Sequence, residues 1–231
     1  MSPESFTVLV VCTGNLNRSA LGAALLRTWA GWYLPASLAE RVQVTSAGLA
    51  APVGSHMRTR SRSIAATLGA DASGHRAVQV TEPMIRGADL VLVAEASQRE
   101  KVLGFVPGAL KHTFTIREVG AIAGELPEWA PPTSVDDLRS RLVQFGANRA
   151  LANGAPSDII DPQGKDDEAY RIMAREEVPA LARLASALFG MPAREVVAYD
   201  EAVADAAAFP FGEVAADSGA DAPRPRGRRQ A

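Results

Sequence analysis

The chain has 231 residues, 47% of them hydrophobic and 22% charged, with a formal net charge of −2, so it can bury a substantial core and is not a polyelectrolyte. No apolar run approaches the roughly 20 residues needed to cross a bilayer, and Glu4 stands where a secretory leader carries basic residues, so a cytoplasmic protein is expected. Cys12 is the single cysteine and there are three histidines, which excludes an intrachain disulfide and a structural zinc spacing and leaves either inert packing or a reactive thiol.

Phe6–Val11 (FTVLVV) is continuously apolar rather than alternating, and predicts a strand buried on both faces. Helical spacing follows over Ser19–Trp32, then a strand at Arg41–Thr45, a helix at Thr59–Leu68, a strand at Ala88–Ala94, a helix at Ser97–Gly104 and a strand at Thr113–Ile116. Two further helices are expected at Val135–Leu151 and Asp166–Phe189. The second is bounded by Asp166, Asp167 and Glu168 at its start and by Gly190 and Pro192 at its end. This alternation predicts an α/β fold: a single domain with a central, parallel, roughly four-stranded twisted sheet, helices on both faces and the functional loop after the first strand.

The domain is expected over residues 1–198. An elaborated segment spans about 120–157, with Leu126–Pro132 and Asn153–Pro156 as irregular linkers beside the Val135 helix. Residues 199–231 read as a disordered tail, acidic from Asp200 to Asp221 and basic through Arg224, Arg226, Arg228 and Arg229. With acids and bases side by side, a solvated terminus is expected, and no nucleic-acid partner.

The sharpest signal is Val11-Cys12-Thr13-Gly14-Asn15-Leu16-Asn17-Arg18-Ser19, where a buried strand gives way to a short loop and then a helix. It lacks the Gly-Lys-Ser/Thr of a nucleotide loop and the three-glycine dinucleotide fingerprint. Amides of a loop turning into a helix N-terminus converge on an anion, and Gly14 and Asn15 are expected to supply the dihedrals that such a nest requires. The same dipoles favour a thiolate at Cys12. Arg18 offers a planar fork for two phosphate oxygens, and Ser19 can donate to the sulfur. Thr13 to Arg18 thus form a phosphate-binding loop that can also attack what it binds. No metal or other cofactor is implied.

These residues resemble the low-molecular-weight protein tyrosine phosphatases, whose loop has the form V-C-x-G-N-x-x-R-S. Thr45-Ser46-Ala47-Gly48, Gly74-His75-Arg76-Ala77, Ala88–Val93 and Asp161-Pro162 are similar to further family elements in the same order, over roughly residues 5–190. The residues alone leave Asp158 and Asp161 equal as a general acid; the resemblance selects Asp161. It also implies that Asn15 is held by Ser19, Ser46 and His75, with His75 in support and not in proton transfer.

The resemblance implies a phosphomonoester hydrolase working through a cysteinyl-phosphate on phosphotyrosyl protein or a small aryl phosphate. Two alternatives stand beside it: arsenate reduction with an external low-molecular-weight thiol, and a phosphate-binding module without turnover. The chain departs from the family at Asn17, where many members carry a second cysteine. It departs again at Leu49-Ala50-Ala51 and Gln163-Gly164, where aromatic walls are common. Arg58, Arg60 and Arg62 are candidates for the rim of the cleft, and Trp29, Trp32 and Tyr33 are expected to be packing residues.

Overall fold

The computed structural model describes residues 4–205 together with 209 and 211. Four strands, β1 (Phe6–Cys12), β2 (Val42–Gly48), β3 (Leu90–Val93) and β4 (Thr113–Thr115), form one sheet in the order β2-β1-β3-β4, with every pairing parallel. Helices α1 (Arg18–Tyr33), α2 (Ala36–Ala39), α3 (Thr59–Thr67), α4 (Glu82–Gly87), α5 (Ala96–Phe105), α6 (Ile116–Glu125), α7 (Val135–Ala147), α8 (Asp167–Phe189) and α9 (Ala193–Ala204) connect and cover it. None of the described helices is long and apolar enough to cross a membrane.

The continuous hydrophobicity of β1 follows from burial on both faces. Val8, Val10 and Cys12 join the larger core with α1 and α8, whereas Leu9 and Val11 join a smaller cluster with Ile85 of α4 and Val102 of α5. Strand β1 is also where the chain turns from building one side of the sheet to building the other, so the loop at its carboxyl end lies in the crevice where α/β sheets bind ligands. The predicted single domain with a four-stranded parallel sheet is observed.

Three parts of the sequence reading are corrected. The elaborated segment expected from about residue 120 begins inside α6, a helix absent from the sequence reading, whose start is fixed by a capping box between Thr115 and Glu118. Gly120 marks a close helix crossing, since a Cβ would lie 2.6 Å from Ala180 Cα of α8. The second correction is α2 and α4, which the sequence reading lacks.

The third concerns the boundary at 198, which α9 crosses to reach Ala204. Tyr199 and Val203 are buried one helical turn apart, Trp29 Nε1 donates to the Tyr199 hydroxyl at 2.8 Å, and Phe209 is buried as well. The rest of the expected disordered tail lies outside the described residues. Removing the Tyr199 hydroxyl orphans a buried indole N–H, so Tyr199→Phe is expected to cost about 1–3 kcal/mol in chemical denaturation, with the midpoint falling at unchanged slope.

Candidate active site

Loop 13–17 leaves β1 and enters α1 directly. Helix α1 starts without a capping bond from Asn17, whose side chain is turned away: Oδ1 accepts from Ser61 Oγ at 2.9 Å and Nδ2 donates to Gln163 Oε1 at 3.3 Å. No acid stands in the first turn of α1 either. The first N–H groups of the helix, with their positive dipole, are left for an anion.

Cys12 lies at the base of a cleft of about 470 Å³ and is 2% exposed. Its Sγ receives the Asn15 N–H at 3.3 Å and contacts Ser19 Oγ at 3.0 Å. Asn15 Nδ2 donates to Ser19 Oγ at 2.9 Å, which leaves the hydroxyl hydrogen two acceptors, the sulfur at 3.0 Å and the Ala47 carbonyl at 3.4 Å. Asn15 alone among the described non-glycine residues has a positive φ, 53°. It is locked by the Val78 N–H on Oδ1 at 2.9 Å and by His75 Nε2 on its carbonyl at 2.8 Å. A carbonyl only accepts, so Nε2 carries the proton; burial, with the charges of Arg27, Arg76 and His56, pulls the His75 pKa below its ordinary value despite the opposing bond to Asn15. His75 thus braces the loop through the Asn15 carbonyl.

Two expected roles differ. Gly14 does not have positive φ, and a Cβ there would meet only ordinary contacts; Asn15 alone takes the left-handed turn. Ser46 makes no bond to Asn15. It pairs with Val10, two residues short of the loop, and its side chain lines a separate cavity with Ala20, Ala24, Arg27 and His75. The β2 residue that does shape the loop is Gly48, where a Cβ would stand 2.7 Å from Thr13 O and 3.0 Å from Asn15 N. Both are backbone atoms and cannot yield without moving the loop. Gly48→Ala is expected to lower kcat/KM on an aryl phosphate by about 100-fold while the circular dichroism stays native.

Arg18 is 1% exposed, and its guanidinium is held on several sides. Nη1 donates to the Ile159 carbonyl at 3.0 Å and to Glu95; Nη2 pairs with Asp161 Oδ2 at 2.9 Å. Glu95 also accepts from Gln98 Nε2 at 3.0 Å, and the same amide reaches Thr13 Oγ1 at 3.3 Å. Glu95 and Gln98 were not legible as site residues. Neither belongs to a local motif, and only the turn from β3 into α5 brings them beneath the loop.

The acid loop is fastened just before Asp161. Ile159 N donates to Ala94 O, Asp158 Oδ1 accepts from Ala96 N, and Ile160 N donates to Glu176 Oε2, so that Asp158 anchors the loop and Asp161 enters the cleft. Asp161 is 43% exposed and accepts the Gln163 N–H at 3.1 Å. Leu16, Ala50, Ala51, Pro52, Arg58 and Gln163 make the walls, and among the described residues no aromatic lines the cleft. Arg60 turns instead to Asp167 and to the face of Tyr170.

The family model for low molecular weight phosphotyrosine protein phosphatase matches residues 7–124, from β1 through α6. The chain belongs to that family, the cysteine-based low molecular weight phosphatases. A probable low molecular weight protein-tyrosine-phosphatase, EpsP of Ralstonia nicotianae, is 35% identical over 49% of this chain and 72% of its own length. A protein-arginine-phosphatase of Geobacillus stearothermophilus is 29% identical over 76% of this chain and 90% of its own. The crystal structure of the low molecular weight protein tyrosine phosphatase from T. tengcongensis superposes with a TM-score of 0.56 at 25% identity, covering 78% of this chain and 97% of that one.

Proposed function

We propose that this phosphatase hydrolyses phosphomonoesters on proteins, phosphotyrosine foremost, through a cysteinyl-phosphate on Cys12. The observation that carries the reading is the placement of a buried thiol at the floor of a narrow cleft, with hydrogen-bond donors on its sulfur and Arg18 and Asp161 at its side. An aryl ester is long enough to bring its phosphorus to a sulfur at that depth. The aliphatic walls at Leu16, Ala50 and Pro52 suit an apolar ring in place of an aromatic stack.

Cys12 Sγ attacks phosphorus while Arg18 and the loop amides hold the oxygens that do not react. Asp161 gives its proton to the leaving oxygen, and the resulting carboxylate takes a proton from the water that cleaves the thiophosphate. In the resting site, Asp161 occupies Arg18 Nη2, so an incoming phosphate exchanges places with a carboxylate. The set of nucleophile, cradle and acid is intact, which favours turnover over a binding module and hydrolysis over arsenate reduction.

The assay that tests the reading is hydrolysis of an aryl phosphate, a phosphotyrosyl peptide and a phosphoseryl peptide. Release from the first two with little from the third is expected; binding without release in all three would contradict it.

Since Cys12 is the only thiol, a sulfenic acid formed by peroxide has no cysteine partner in the chain. Activity after peroxide is expected to return when a small thiol is added and to stay low without one. Rapid unaided recovery would oppose this. A working thiol of this kind fits a reducing compartment such as the cytoplasm.

A further inference from the structure

Helix α8 carries two consecutive glutamates beside the site, and they face opposite ways. Glu176 points to the acid loop, taking the Ile160 N–H and pairing with Arg117. Glu177 points inward, has no exposed surface, and has no hydrogen-bond partner on either carboxyl oxygen. It lies against the first turns of α1, where a Cβ on Gly22 would come within 2.8 Å of Oε1, with Leu181 and Val10 around it. Gly22 is one helical turn beyond Arg18 on the same face of α1. Arg18 Nε is itself buried and unpartnered.

Two charged groups with unmatched polar atoms thus share one apolar seam. An unpartnered buried carboxyl is costly, and an apolar side chain of similar volume would fill the space without that cost. Packing does not account for a glutamate at this position.

Resting on the assignment of Arg18 as the oxyanion holder, we propose that Glu177 is a positioning residue for Arg18: a buried, proton-exchanging counter-charge whose neutral form leaves the guanidinium fully available to phosphate and whose ionised form loosens that hold. Burial raises the Glu177 pKa well above the ordinary carboxylate value; the Arg18 charge and the Gly22 N–H, short of a hydrogen bond, act against it. Of the charged side chains, Arg18 is the one whose field acts on Glu177. Glu95 and Asp161 pair with Arg18, β1 offers Val10, and Glu176 is turned to the acid loop. An oxyanion on Arg18 brings negative charge toward Glu177. Binding therefore favours transfer of a proton from solvent to the Glu177 carboxylate, and, reciprocally, ionising Glu177 weakens binding. Glu177 makes no bond to substrate.

The test is the inhibition constant of sulfate against aryl-phosphate hydrolysis, measured for the wild-type chain and for Glu177→Gln from about pH 5 to pH 8, a range in which sulfate does not titrate. The two proteins should agree at the acid end. Toward the alkaline end the wild-type constant should rise about 3–10-fold more than that of the variant. Superimposable curves would overturn the proposal, as would a folded Glu177→Gln protein inactive at every pH. Absence of competitive sulfate inhibition in both proteins would instead overturn the reading of Arg18 on which the proposal rests.

Thermal unfolding of the same pair supplies a readout that does not depend on turnover. A carboxyl held protonated by the fold contributes its full stability below the unfolded carboxylate pKa and loses it as pH rises toward the folded value. The wild-type melting temperature should therefore fall with pH relative to that of Glu177→Gln. Parallel curves would overturn the proposal.

Discussion

Replacing Cys12 by serine is expected to reduce aryl-phosphate turnover to background, a loss of about 10⁵-fold or more, measured as kcat with product release followed over hours. A hydroxyl at this position needs a base, and none lies against the sulfur. The groups against Sγ are the Asn15 N–H and the Ser19 hydroxyl, neither of which is a base. His75, the nearest imidazole in the network, spends its Nε2 proton on the Asn15 carbonyl and does not reach the sulfur. The cradle itself does not depend on the thiol, so Cys12→Ser should still bind sulfate. Near-normal hydrolysis by this variant would refute the mechanism.

Asp161→Asn is expected to lower kcat by about 10²–10⁴-fold, the usual share of a positioned general acid. The loss should deepen as the leaving phenol becomes more basic, because a poor leaving group depends most on protonation. Arg18 loses one carboxylate partner in this variant and keeps Glu95 and the Ile159 carbonyl, so its fork stays in place while Nη2 is freed. KM should therefore not rise. A loss independent of the leaving group, or one confined to KM, would assign Asp161 to loop structure and not to proton transfer.

The middle of the sheet was legible in the sequence because β1 and β3 are buried on both faces and read as apolar runs, as FTVLVV does for β1. The helices that escaped notice lack that signature. Helix α6 carries Gly120 and Gly124, which resemble linker residues; Gly120 is demanded by the close approach of Ala180, a contact 60 residues away in the chain. Helix α9 is rich in alanine and acids, and its core contacts, Tyr199 and Val203, are too few to stand out from a tail.

The same division runs through the site. Cys12, Asn15, Arg18 and Ser19 lie in one continuous stretch whose spacing is their geometry, and the structure brings His75 and Asp161 to them. Gly48, Glu95, Gln98, Glu176 and Glu177 act through positions that only the sheet order and the packing of α8 create. Ser46 was placed on Asn15 by resemblance, but the β1–β2 register sets it two residues before the loop and aims it at α1.

The most direct test of the account is to trap the intermediate. Asp161→Asn, which leaves the nucleophile and cradle intact and slows attack by water, is mixed with an aryl phosphate, quenched in acid and digested for mass spectrometry. The account predicts one phosphoryl group on the peptide containing Cys12, absent in the Cys12→Ser control. Turnover of the same substrate with the phosphoryl group on another residue, or with no phosphorylated protein at any quench time, would contradict it.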